Sequence, residues 1–135
     1  MNAAAVGETD LQRLLAGLAP ELLANPCAIR SQGTDMALPA DAIMAFREAE
    51  GLTVIAPFDA DADVSGDAQW AQITLRIHSS LEAVGMMAAI ASALTARDIP
   101  CNAVSAYYHD HLFVPWTRRD AAMDALHDLS KGISP

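Results

Sequence analysis

Between residues 72 and 115 the hydrophobic pattern changes period and then changes back, and few folds accommodate that. Ile73, Leu75 and Ile77 alternate with Gln72, Thr74, Arg76 and His78, the two-residue period of a half-buried strand. Ser79 stands three residues before Glu82, the spacing of a capping box that satisfies free N–H groups at a helix start. Val84, Met87, Ala88, Ala91 and Leu94 follow at spacings of three and four, so a helix is predicted whose stripe lies on the strand. Asp98-Ile99-Pro100 ends it, because a residue before proline is pushed out of the helical region. Two short strands are predicted over 102–107 and 111–115, with His109-Asp110 as their turn. The order strand, helix, strand, strand requires helices packed on an antiparallel sheet.

The flanking segments supply partners for that unit. Thr9 and Gln12 form a second capping box, and Leu11, Leu14, Leu15 and Leu18 a stripe, predicting a two-turn helix that ends near Ala19-Pro20. A strand is expected over 27–31, a loop over 32–35, and one helical turn over 39–44 capped by Asp41. Gly51 separates 45–50 from the β-branched run 52–55, which reads as a hairpin. Residues 57–69 are acidic and polar, a linker between units at 9–66 and 69–131. Thr117 and Asp120 can cap a last helix with a stripe of Ala122, Met123, Leu126 and Leu129, ended by Gly132. The second half is thus a ferredoxin-like βαββαβ unit lacking its last strand, and the first half holds spare strands to complete it. The expected class is α+β: two such units, antiparallel sheets with helices on one face, and strands shared between halves.

Composition narrows the function. The net charge of −9 repels phosphate backbones and anionic membrane surfaces, so nucleic acid and membrane are not expected partners. No apolar run approaches the roughly 20 residues needed to cross a bilayer, and the first ten residues lack the pattern of a secretory leader. A cytoplasmic protein is expected. Cys27 and Cys101 are far apart without C-x-x-C spacing and read as buried thiols, not a bridge. Asp59-x-Asp61-x-Asp63 has the spacing of a calcium loop, but the sixth and twelfth positions hold Val64 and Trp70 where glycine and glutamate are needed.

The segment ITLRIHSSLEAVGMMAAIASALTARDIPCNAVSAYYHDHLFVP resembles the second half of small bacterial proteins built from paired ACT-type domains. That family reads close to ITLTVHSSLEAVGLTAA and then GISCNVVAGYYHDHIFVP. In the first half, LLAGLAPELL and FREAEGLTVIAP are similar to its LL-x-x-M-x-P-E-L and R-x-x-EGLTLV blocks, so the resemblance covers residues 10–130. Departures are Ser105-Ala106 for the usual Ala-Gly, Cys27 for tyrosine or valine, and Trp116 for a polar or small residue. The resemblance implies a regulatory, dimeric fold that binds small molecules, most often amino acids, between paired domains or subunits. The binding turn it implies is His78, Ser79, Ser80, Leu81, Glu82, Ala83, Val84 and Gly85, facing a strand that begins Cys101, Asn102, Ala103 and Val104.

The residues can be weighed for themselves. A helix start presents N–H groups with positive partial charge, which suits a carboxylate, although Ser79 and Glu82 as a cap would consume some of them. Arg76 beside His78 could pair with a ligand carboxylate. His78, His109, His111 and Asp110 are the candidate metal ligands, but a turn at His109-Asp110 breaks their geometry. Tyr107 and Tyr108 read as cross-strand packing. An enzyme would use His109 or His111 as base with Glu82, yet no nucleophile elbow, phosphate loop or carboxylate pair accompanies them. No catalytic residue, metal or cofactor is therefore expected. The expected function is non-catalytic sensing of an amino acid or similar metabolite by a homodimer; an assembly module that binds no ligand is the alternative. The first half has no SSLEAVG equivalent and is expected to have lost its site.

Overall fold

The computed structural model describes residues 7–61 and 68–133. Asp63 and Val64 of the calcium reading, the middle of the expected linker and residues 1–6 of the N-terminus lie outside them. The elements are α1 (Leu11–Ala16), β1 (Pro20–Leu22), β2 (Cys27–Gln32), β3 (Met44–Arg47), β4 (Leu52–Pro57), β5 (Trp70–Leu75), α2 (Met86–Thr95), β6 (Asn102–Ser105), β7 (Asp110–Pro115) and α3 (Arg119–Ser130), the last preceded by a short 3₁₀ turn.

The architecture is α+β with antiparallel strands, as the pattern predicts, and the expected sheets of the two units are joined in one curled sheet ordered β3-β4-β2-β5-β7-β6, with β1 also on β5. Ile73 of β5 pairs with Leu22 of β1 and with Leu112 of β7, so β1 and β7 flank β5 on opposite sides. The order β1-β5-β7-β6 is that of a ferredoxin-like unit, and β1 fills the place of its missing last strand. The chain then bends through Leu23, whose N–H donates to the Gln72 carbonyl, and re-joins β5 where Cys27 pairs with Trp70. Strands are thus shared between the halves. No sequence signal announced β1, because three residues are too few to show a period.

The alternation of β5 and β7 divides the sheet into two faces. Ala71, Ile73, Leu75, Leu112 and Val114 meet α1, α2 and α3 in a core completed by Leu14, Leu18, Met86, Ile90, Leu94, Ile99, Ala122, Ala125 and Leu126. On the concave face Cys27, Ile55 and Phe113 cluster with Ile29, Met44, Trp70 and Val104, so side chains from both edge strands meet inside the curl.

Several local expectations shift. α1 is capped by Asp10, whose carboxylate accepts from the Arg13 N–H at 3.0 Å, not by Thr9. α2 buries Met86, Ile90, Ala93 and Leu94, while Val84, Ala88 and Ala91 are exposed, because the helix starts later than the stripe assumed and its phase rotates. Asp98, with φ of 55°, closes α2, and the Ile99 N–H donates to the Leu94 carbonyl. Residues 39–42 make a turn and no helix, with the Ala42 N–H on the Pro39 carbonyl at 3.0 Å. α3 has no side-chain cap, so Thr117 does not act as one. Gly132, at φ of 75°, does end it. Both cysteines are free thiols; burial raises Cys27 and pushes Cys101 up to about 11.

Candidate functional site

The turn after β5 is held open as a loop. Glu8 runs beside Ser79: its N–H donates to the His78 carbonyl at 2.8 Å and its carbonyl accepts from the Ser80 N–H at 2.9 Å. Gly7 is required for that approach, since a Cβ there would stand 2.7 Å from the backbone of Ser79 and Ser80. Ser80 then forms a tight turn, its Oγ accepting from the Glu82 N–H at 3.1 Å and its carbonyl from the Ala83 N–H at 3.0 Å. Gly85, with φ of 97°, directs the chain into α2 at Met86.

The capping box at Ser79 and Glu82 is therefore not formed, and the helix starts at Met86 and not beside Ser79. The Glu82 N–H donates to the Ser80 Oγ instead of the Ser79 Oγ, and the left-handed Gly85 cannot lie inside a helix. The Ser79 hydroxyl is engaged across the sheet instead. Its buried Oγ donates to Asp110 Oδ2 at 3.1 Å, tying the turn to the first residue of β7. The N–H groups of the first turn of α2 have no intrahelical acceptor, and no side chain caps them.

These elements enclose a cleft of about 160 Å³, lined by Ser79, Ser80, Met86, Met87, Ser105 and Asp110 with several small residues between them. Of the expected turn, Ser79, Ser80, Leu81, Ala83 and Gly85 reach it. Glu82 and Val84 point to solvent, and half-buried His78 contributes its carbonyl to Glu8 and its ring to a contact 5.6 Å from Tyr108. The facing strand is the expected one, but its other end lines the cleft. Asn102 pairs with Phe113 and Ala103 with Leu112, remote from the turn, whereas Ser105 pairs with Asp110. Val104 faces the inside of the curl, lining a separate apolar cavity with Ile43, Met44, His111 and Phe113.

Sequence reasoning missed Asp110, Ser105 and the start of α2. The β6–β7 connection explains why: the Ala106 N–H donates to the His109 carbonyl at 3.0 Å, so Tyr107 and Tyr108 form the turn and Asp110 belongs to the strand. The tyrosines are not cross-strand packing residues; they stand exposed at the tip, edge-to-face at 4.9 Å. Leu81, Val84, Tyr107 and Tyr108, at 69%, 82%, 63% and 61% exposure, form an apolar rim beside the cleft. Arg76 lies elsewhere, 3.8 Å from Glu21 on the surface.

The histidines do not converge. His111 faces the inside of the curl, its Nδ1 3.0 Å from Thr74 Oγ1 and 3.4 Å from Gln72 Nε2. Burial, and then the neighbouring His109 ring at 6.4 Å, hold it below the usual imidazole range. Among the described residues no group of three or more His, Cys, Asp or Glu is placed to hold a metal ion.

Comparison with known proteins agrees with this arrangement. One ACT-domain model matches residues 6–66 and a second matches residues 68–128. The chain belongs to the tandem ACT-domain proteins. The tandem ACT chain is also similar to a Vibrio cholerae protein of unknown function, described as a possible transport protein. They are 36% identical, the match covers 85% of this chain and 92% of that one, and the TM-score is 0.73. An Agrobacterium tumefaciens protein shares the fold at 18% identity, with a TM-score of 0.64 over 82% of this chain and 87% of that one. No curated protein matches. ACT domains are commonly regulatory, ligand-binding and non-catalytic modules that often dimerise. Among the described residues no helix is long and apolar enough to cross a membrane.

Proposed function

We propose that this tandem ACT protein is a non-catalytic, cytoplasmic sensor of a small amino acid, bound in the cleft between the turn at 79–85 and the β6–β7 hairpin. The observation that carries the reading is that opposite electrostatic ends open on one cleft. The uncapped start of α2, at Met86, Met87 and Ala88, offers N–H donors and the positive end of a ten-residue helix. Across the same space stands the Asp110 carboxylate. A zwitterion fits that pair, its carboxylate at the helix start and its ammonium beside Asp110. Small volume favours a compact ligand, since clefts for drug-sized molecules begin near roughly 300 Å³.

The apolar rim of Leu81, Val84, Tyr107 and Tyr108 supports a homodimer in which a second copy covers the cleft. Ligand binding then shifts the equilibrium between open and covered states by its differential affinity for them.

Thermal unfolding against each of the twenty amino acids tests the reading. A ligand that binds the folded chain raises its midpoint with concentration. At least one small amino acid is expected to do so at millimolar concentration, and Asp110→Asn to abolish the shift. No shift with any of the twenty, or an unchanged shift in Asp110→Asn, refutes it.

A further inference from the structure

The first half carries a groove where the second half carries its crossover helix. Residues 33–43 join β2 to β3 as a loop across the sheet's outer face. Between loop and sheet opens a surface groove of about 310 Å³, lined by the exposed Thr34, Met36, Leu38, Ala45 and Arg47 and by the half-buried Leu52. The roof is pinned at both ends. Gln32 Nε2 donates to the carbonyls of Met36 and Ala37 at 3.4 and 3.2 Å, and the Ile43 N–H donates to the Ile55 carbonyl at 2.6 Å. The Met36 N–H donates to the Gly33 carbonyl at 3.1 Å and tightens the turn between.

Apart from the Thr34 hydroxyl, the lining side chains are apolar with one exception, the guanidinium of Arg47. In a chain of net charge −9, the Arg47 guanidinium makes no ion pair or hydrogen bond with any described residue. A guanidinium without a counter-ion at an apolar groove is complementary to an anion that carries an apolar body. The planar fork of arginine pairs with both oxygens of a carboxylate, and methionine adapts to an irregular chain.

We propose that this groove binds a small aliphatic monocarboxylate, its carboxylate on Arg47 and its chain against Met36, Leu38 and Leu52. The volume sits at the lower end of small-molecule clefts, which suits an acid of roughly four to eight carbons. The site is independent of the cleft at 79–85. There the Asp110 carboxylate opposes an anion that brings no ammonium group.

Hexanoate, hexanol and hexylamine, titrated into the full chain labelled at Met and Leu methyls and followed by NMR, test it. Hexanoate is expected to shift Met36, Leu38 and Leu52 saturably while leaving Met86 and Met87 unmoved. Hexanol and hexylamine bind about tenfold more weakly or less, because each lacks the charge-assisted pair. Arg47→Gln, on the surface and outside either core cluster, weakens hexanoate about tenfold or more, and Arg47→Lys, which keeps the charge, weakens it less. Ala45→Leu, which fills the groove, abolishes binding. Absence of a saturable shift at Met36, Leu38 and Leu52, equal affinity for hexanol, or unchanged hexanoate affinity in Arg47→Gln overturns the proposal.

Discussion

The two halves of the sheet run in the same strand order under opposite coverings. In the second half the first strand is β5, its neighbour β7 and the edge β6; in the first half β2, β4 and β3 take those places. The second half joins its first two strands by α2, which buries Met86, Ile90, Ala93 and Leu94. The first half joins them by residues 33–43, most of which are exposed, and it leaves a groove beneath. The difference teaches that the strand ladder can set the order of such a sheet without a crossover helix, while burial decides where stability resides.

The largest expected effect would break the comparison if it failed. Ile90→Ala or Leu126→Ala, both fully buried in the helix layer, should lower unfolding free energy by about 2–5 kcal/mol. Leu38→Ala, half exposed in the loop, should stay within about 0.5 kcal/mol. Urea titrations followed by circular dichroism measure both, and equal losses would erase the distinction. Next comes the tie between the turn after β5 and β7. Ser79→Ala removes the hydroxyl that donates to buried Asp110 and should cost about 1–3 kcal/mol in the same titration.

Glycines sharpen the contrast at smaller scale. Gly85→Ala forces a side chain into a left-handed backbone, with its Cβ 3.3 Å from Leu11 Cδ2, and should cost about 1–2 kcal/mol. In the loop of the first half, an added Cβ at Gly33 meets the movable carboxylate of Asp35, so Gly33→Ala should change the thermal midpoint little. The smallest effect is pH dependence from His111. Its folded pKa lies below the unfolded value of about 6.5, so the unfolded chain binds the proton first as pH falls. Stability is full above that value and declines as pH drops through the folded pKa. His111→Gln should flatten the decline between about pH 7 and 5 in thermal scans, and an unaltered slope would assign it to other groups.

Legibility followed the length over which each signal repeats. The alternation in β5 could be read because one-sided burial imposes a period of two over several residues, and the hairpin could be read from Gly51 and the β-branched run after it. β1 could not be read, since Pro20, Glu21 and Leu22 owe their strand to Leu75, Thr74 and Ile73 far along the chain. The site was half legible. Ser79 and Ser80 were found through a capping motif that the structure uses otherwise. Asp110 takes the Ser79 hydroxyl, and a motif of four residues cannot reveal a competitor some thirty positions away. Asp110 was assigned to a turn because Tyr107-Tyr108, bulky and aromatic, lacks the residues that usually mark one.

The place of β1 in the sheet also sets a schedule for synthesis. Residues 11–22 leave the ribosome before their partners do: Leu14, Leu18 and the edge of β1 meet theirs when β5 emerges about fifty residues later, a delay of seconds at ordinary elongation rates. During that interval the leucine stripe of α1 is an exposed apolar segment, too short to hold a helix by itself. The second half, once made, still needs β1, synthesised before it, to return and close its sheet.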